Sequence, residues 1–143
     1  MQRLLERLSE SSPATLSIGL LVIRAWFGLL LAFGHGLGKF GDLSVFTSKV
    51  ADKGIPLAGL LGPAAAASEL VGGLLLALGL LTRPAALFVM VTMLVAVVVI
   101  HANDPFSKKE LALAYGMAAL AVLIAGPGKF SLDARWFGAS RKT

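Results

Sequence analysis

Four long apolar runs, separated by short polar breaks, set the pattern of this chain. Residues 14–36, 61–81, 84–101 and 108–125 consist almost entirely of Leu, Val, Ala, Ile, Phe, Met and Gly. Each is close to the ~20 residues that a helix needs to cross the hydrocarbon of a bilayer. The breaks carry turn and cap signals. Ser12-Pro13 reads as an N-cap followed by proline at the first helical position. Leu81-Thr82-Arg83-Pro84 is a tight turn into the third run, and His101-Ala102-Asn103-Asp104-Pro105 ends it. Ser107-Lys108-Lys109-Glu110 fits a capping box opening the fourth run, which stops at Gly126-Pro127-Gly128. The pattern predicts an all-α membrane protein, an antiparallel four-helix transmembrane bundle formed by one domain over residues 1–143.

Shorter features fill the gaps. Met1 to Ser12 alternates Arg3, Glu6, Arg7 and Glu10 with leucines and reads as a short interfacial helix rather than a signal peptide. Around Leu43 to Val50 a further interfacial helical turn is expected. Gly34, Gly36 and Gly38 are expected to loosen the end of the first helix. Small residues crowd one side of the second run, with Gly62, Ala65, Ala66, Gly72 and Gly73 suited to close helix approach.

Composition agrees. Of 143 residues, 57% are hydrophobic and only 15% are charged, too few charges to cover a water-facing surface. The net charge of +5 sits at the helix ends, which points to lipid headgroups and topology rather than nucleic acid. Arg3, Arg7, Arg83, Lys129, Arg135, Arg141 and Lys142 fall on the side of the termini, against Lys39, Lys49, Lys53, Lys108 and Lys109 opposite. That bias predicts both termini in the cytoplasm, with the chain in a bacterial inner membrane. The chain has no cysteine, so disulfide and thiol redox chemistry are excluded.

Candidate chemistry rests on polar groups inside the apolar runs. Arg24, Gly28, Leu31 and His35 fall on one face of the first helix. Arg24 and Glu69 each lie about ten residues into helices that run in opposite directions. Both then reach the bilayer midplane, where a lone charge costs several kcal/mol and pairing offsets much of that. An Arg24–Glu69 ion pair is the expectation, either as part of a site or as a device that sets helix register. His35 is either a snorkelling polar group or a ligand contact on the Arg24 face. Lys39, one turn further, reads as a headgroup anchor. Trp26, Phe27, Phe33, Phe40 and Tyr115 are the aromatics available to wall such a track, unless they serve packing alone. Arg24, Trp26, Gly28, His35, Lys39, Glu69 and Tyr115 are therefore the candidate ligand-binding residues. A metal site is not expected. Haem held by His35 and His101 is not expected either, because only two histidines are available and His101 ends a helix. No nucleophile–base pair or P-loop spacing occurs.

A set of short motifs spread over the chain resembles the DoxX family. They are Arg24, Gly28, His35-Gly36, Lys39-Phe40, Ile55-Pro56, Glu69 with Gly72-Gly73, Gly79-Leu80, and the run Gly126-Pro127-Gly128-Lys129-Phe130-Ser131-Leu132-Asp133. The resemblance extends from about Leu16 to Phe137. It implies a small four-helix membrane protein in a quinone-related redox setting. Some members of that family are small subunits of thiosulfate:quinone oxidoreductase. Others act in a membrane oxidoreductase complex with superoxide dismutase and a sulfurtransferase, or are linked to quinone and catechol stress. The resulting expectation is a quinone-linked membrane oxidoreductase subunit, or a quinone-binding or small-ligand-binding protein, that works with redox partners in the bilayer. It carries no intrinsic cofactor, so electrons must come from a partner or from a bound quinone. A non-catalytic assembly factor or chaperone, or a small-molecule carrier, is the alternative, and a homo-oligomer is compatible with any of them.

Overall fold

A computed structural model describes residues 12–138, and they are almost wholly helical. The helices are α1 (Pro13–Gly41), α2 (Leu43–Asp52), α3 (Ala58–Leu78), α4 (Thr82–Ile100), α5 (Phe106–Ala125) and α6 (Leu132–Trp136). Three of them, α1, α3 and α4, are long and apolar enough to cross a membrane. The interfacial helix expected before Ser12, and the basic residues beyond Gly138, lie outside the described residues.

The caps explain most helix boundaries and correct several. Ser12 caps α1 as expected, its Oγ accepting from the Thr15 backbone N–H at 3.1 Å, with Pro13 at the first helical position. The glycines after Phe33 do not end α1 near Gly36. The helix widens into one π-helical turn at Ala32–Gly36 and continues to Gly41. Helix α3 begins at Ala58 and stops at Leu78, where Gly79 takes φ 68° and turns the chain out. Helix α4 starts at Thr82, earlier than its proline suggests, because Asp133 caps it from a distance. Both Asp133 carboxylate oxygens accept backbone N–H bonds, from Leu81 and Thr82, at 2.8 Å each. The capping box at Ser107 and Glu110 does not form. Helix α5 opens two residues earlier, at Phe106 after Pro105, with no side-chain cap. The turn expected near Leu43 is a full ten-residue helix.

Packing is closest between α1 and α3, and glycine makes it possible. A Cβ on Gly28 would stand 2.5 Å from the Gly73 carbonyl oxygen and 2.8 Å from the Ala77 nitrogen. One on Gly36 would strike the Leu70 backbone. Residues 28 and 36 of α1 thus face 73–77 and 70 of α3, so the two helices run in opposite directions. Helix α4 packs on α3 through Val89 against Gly72, and Thr92 Oγ1 bonds Ser68 Oγ at 3.0 Å. Met93 of α4 meets Gly116 of α5. The buried core these contacts enclose centres on Leu31, Leu76, Val89, Met93, Tyr115 and Val122.

The outside is apolar as well. Phe33, Phe88, Leu94, Met117 and Ile124 are all more than half exposed. An outward layer of this kind suits lipid and would be a liability in water.

Candidate functional site

The polar side chains of the apolar helices separate into two places. At one end of α3, Arg24 is 2% exposed and holds the helix terminus. Its Nη1 donates to the carbonyls of Ala77, at 2.8 Å, and Leu76, at 3.3 Å, and its Nη2 donates to the carbonyl of Phe130. Ala77 and Leu76 belong to the last turn of α3, where the helix leaves carbonyls short of partners and carries partial negative charge, while Phe130 lies in the segment after α5. The planar guanidinium fork can serve several at once. The segment after α5 folds back to complete this end. Ser131 Oγ bonds the Gly128 carbonyl at 2.7 Å, the Asp133 N–H bonds the Gly79 carbonyl at 2.9 Å, and Asp133 caps α4.

The expected Arg24–Glu69 ion pair is not formed. Glu69 is 3% exposed, and its partner is Lys39. Lys39 Nζ lies 2.5 Å from both carboxylate oxygens. Register explains the exchange. Counting turns from the start of each helix sets Arg24 and Glu69 at one depth, but α1 is 29 residues long against 21 for α3. With Gly28 against Gly73 and Ala77, Arg24 stands level with the last turn of α3. Glu69 stands level with Gly36 to Lys39. Lys39 is accordingly a buried-pair partner rather than a headgroup anchor, and Phe46 of α2 covers it with its ring 5.2 Å from Nζ.

A cavity of about 120 Å³ lies beside this ion pair. His35, Lys39 and Glu69 line it together with Tyr115, His101 and Lys108, and Leu31, Met93, Ala96, Leu111 and Ala112 complete the walls. Tyr115 is buried and is flanked edge-on by His35, with centroids 5.5 Å apart, and by Phe27, at 5.8 Å. Such perpendicular contacts hold an aromatic ring in place. On the rim, His101 Nδ1 is 2.7 Å from Asp104 Oδ2. The hydrogen bond with His101 is the main influence holding the Asp104 carboxyl below its ordinary value, and the charges of Lys108, His101 and Lys53 act in the same direction.

Of the seven residues expected at a site, the structure brings His35, Lys39, Glu69 and Tyr115 together. Arg24 and Gly28 line a separate apolar space of about 10 Å³ further down the helices. Trp26 does not belong to either. It is 62% exposed, because two residues along a helix turn a side chain about 200° from Arg24. Phe33 and Phe40 also point outward.

The π-helical turns are the feature that sequence reading missed. Three occur among the described residues, at Ala32–Gly36, Ser68–Gly72 and Ala96–Ile100, one in each of α1, α3 and α4. Each supplies a lining residue of the one cavity, namely His35, Glu69 and Ala96. A π turn inserts one residue into the ladder, rotates the side chains that follow and weakens local backbone bonding, and such turns gather at functional sites. Gly34, Gly36 and Gly72 are weak local hints. Nothing in the apolar run at Ala96–Ile100 hints at it.

Among the described residues, no group of three or more His, Cys, Asp or Glu side chains is placed to hold a metal ion. The family model for DoxX matches residues 19–102. That stretch is more than half of the chain and includes Arg24, Gly28, His35, Lys39, Glu69 and His101, but not Tyr115 or Lys108. No curated protein and no solved structure is matched. The apolar helices and this match agree on an integral membrane protein, and the chain belongs to the DoxX family.

Proposed function

We propose that this chain is the quinone-binding subunit of a membrane oxidoreductase, and that the cavity beside Lys39 and Glu69 takes the quinone ring. The observation that carries the reading is the convergence of His35, Lys39, Glu69 and Tyr115 on one cavity among apolar helices. A dry cavity of about 150 Å³ accommodates benzene, so about 120 Å³ with an open rim suits a single six-membered ring. Apolar walls with a few convergent polar groups suit a flat amphipathic ligand. His35 and Tyr115 supply donors for a ring carbonyl, and Lys39 holds positive charge close by. Glu69 accepts from a ring hydroxyl once the quinone is reduced. A bound quinone supplies the two-electron chemistry that the chain's own side chains lack. Electrons would reach it from a redox partner.

The same proposal includes the architecture around the site. Helices α1, α3, α4 and α5 cross a bacterial inner membrane as an antiparallel four-helix bundle, with both chain ends on the cytoplasmic side. Helix α5 joins the spans although Lys108 and Lys109 occupy its first turn and Glu110 follows directly, where they reach the headgroup layer.

Calorimetric titration of the purified protein in lipid nanodiscs with a ring-substituted benzoquinone tests the reading. Saturable binding is expected, weakened at least tenfold by Tyr115→Phe together with His35→Ala. If the folded protein binds no quinone, or binds it equally well after both substitutions, the reading fails. An assembly role for the bundle then takes its place.

A further inference from the structure

The cavity beside Lys39 and Glu69 ends inside the molecule. Its inner wall is Leu31 and Tyr115, and both side chains also line the small apolar space on the Arg24 side. That space, about 10 Å³, has room for at most one water. Beyond it Arg24 and the carbonyl of Phe130 close the end of the molecule. The opposite end is open. Lys108 and Leu111 are exposed there, and Lys39 and His101 are half-buried. Three of these four rim side chains are polar, and Leu111 alone offers an apolar contact.

We infer that the cavity is a dead-end pocket loaded from water at the α4–α5 end of the molecule, and that its ligand is a single-ring polar compound without a long hydrocarbon tail. The ring chemistry rests on the quinone reading, whereas the sidedness and the closed floor do not. A long tail leaving through this rim would lie against Lys39, His101 and Lys108 and strip water from them, which is unfavourable for every charged group involved. A ring bearing only short substituents leaves that hydration intact. A closed floor also means that the ligand leaves by the way it came, so the pocket binds without conducting.

The cysteine-free chain makes this measurable with single cysteines. Ala112→Cys places a thiol on the wall of the pocket, and Ala96→Cys serves the same purpose should the first fail to fold. Ala119→Cys places one beyond Tyr115, and Asn103→Cys reports which face of a sealed vesicle is outside. A charged, membrane-impermeant methanethiosulfonate reagent is expected to modify residue 112 or 96 only from the face that exposes residue 103. It should leave residue 119 unmodified from either face. Modification of residue 119 from the opposite face would overturn the dead end. Labelling of residues 112 and 96 by a lipid-soluble maleimide, but not by the charged reagent, would overturn loading from water.

Ligand class is read separately, on the native chain in nanodiscs, using 2,3-dimethoxy-5-methyl-benzoquinone with and without a decyl tail at equal free concentration. Affinities within threefold of each other support the inference. A gain of tenfold or more from the tail overturns the ligand class and leaves the quinone reading standing. If neither compound binds, the ligand class falls together with the quinone reading, and one-sided labelling alone then decides the pocket's access.

Discussion

Lys39 Nζ sits 2.5 Å from both carboxylate oxygens of Glu69 and ties α1 to α3 across 30 residues of sequence. The two partners are not equally enclosed. The Lys39 side chain keeps 31% exposure and the Glu69 side chain 4%. Removing Lys39 therefore strands a buried carboxylate, whereas removing the Glu69 charge leaves an ammonium that can still reach water. Lys39→Met is expected to destabilise the protein by ~3 kcal/mol. Glu69→Gln is expected to cost about 1 kcal/mol, because the amide keeps one acceptor and Lys39 rehydrates. Unfolding of the two variants in the same detergent would check this, and an equal or reversed order would refute the asymmetry.

Arg24 serves three backbone carbonyls from one planar fork. A lysine ammonium cannot reach all three in that geometry. Arg24→Lys is expected to lose roughly 2–3 kcal/mol of stability and to recover little relative to Arg24→Met. Thermal unfolding of both variants decides, and a lysine variant close to native stability would contradict the capping role.

Asp133 acts on the same end of the molecule from the far side. Its two carboxylate oxygens are the cap of α4, so Asp133→Ala should cost about 1–2 kcal/mol. Hydrogen exchange should rise first at Leu81 and Thr82. Uniform exchange across α4 would instead mean that the cap is unimportant locally.

Glycines on α1 offer an internal control. Gly28→Ala should be destabilising by ~2 kcal/mol or more, since its Cβ would enter the α3 backbone. Gly34→Ala should be neutral or stabilising by up to about 1 kcal/mol, because nothing lies within 4 Å of a Cβ there and alanine favours helix. Similar losses in both variants would show that the close α1–α3 contact does not set the cost.

Asp104 gives a pH dependence whose sign is determined by its bond with His101. A carboxyl held below its ordinary value stabilises the folded state above the unfolded pKa, near 4. That contribution is lost as pH falls through the lower, folded value. Asp104→Asn should therefore narrow the stability difference between neutral pH and pH below about 4. Denaturation of both proteins across that range tests it, and parallel curves would exclude the pair as a contributor.

The apolar runs and their punctuation were readable because helix formation in lipid depends on local properties. A run of ~20 apolar residues has to satisfy its own backbone, whatever lies beside it. Ser12-Pro13 and Gly126 mark helix ends by the same local logic, and His35, Lys39, Glu69 and Tyr115 stood out as polar groups in apolar surroundings. What Glu69 touches is a different kind of fact. It depends on the offset between two helices, and that offset is set where Gly28 meets Gly73 and where Gly36 meets Leu70. Counting residues from each helix start could not supply it, so the count paired Glu69 with Arg24.

The sequence by itself determined a membrane protein of long apolar helices and the polar residues that matter within them. Only the tertiary structure decided that Glu69 belongs to Lys39, that Arg24 closes a helix end, and that Trp26 faces outward. It also decided that three π turns meet around one cavity. Side-chain phase shifts with every inserted residue, and register follows from backbone approach at a few glycines. Both are properties of helices already packed together.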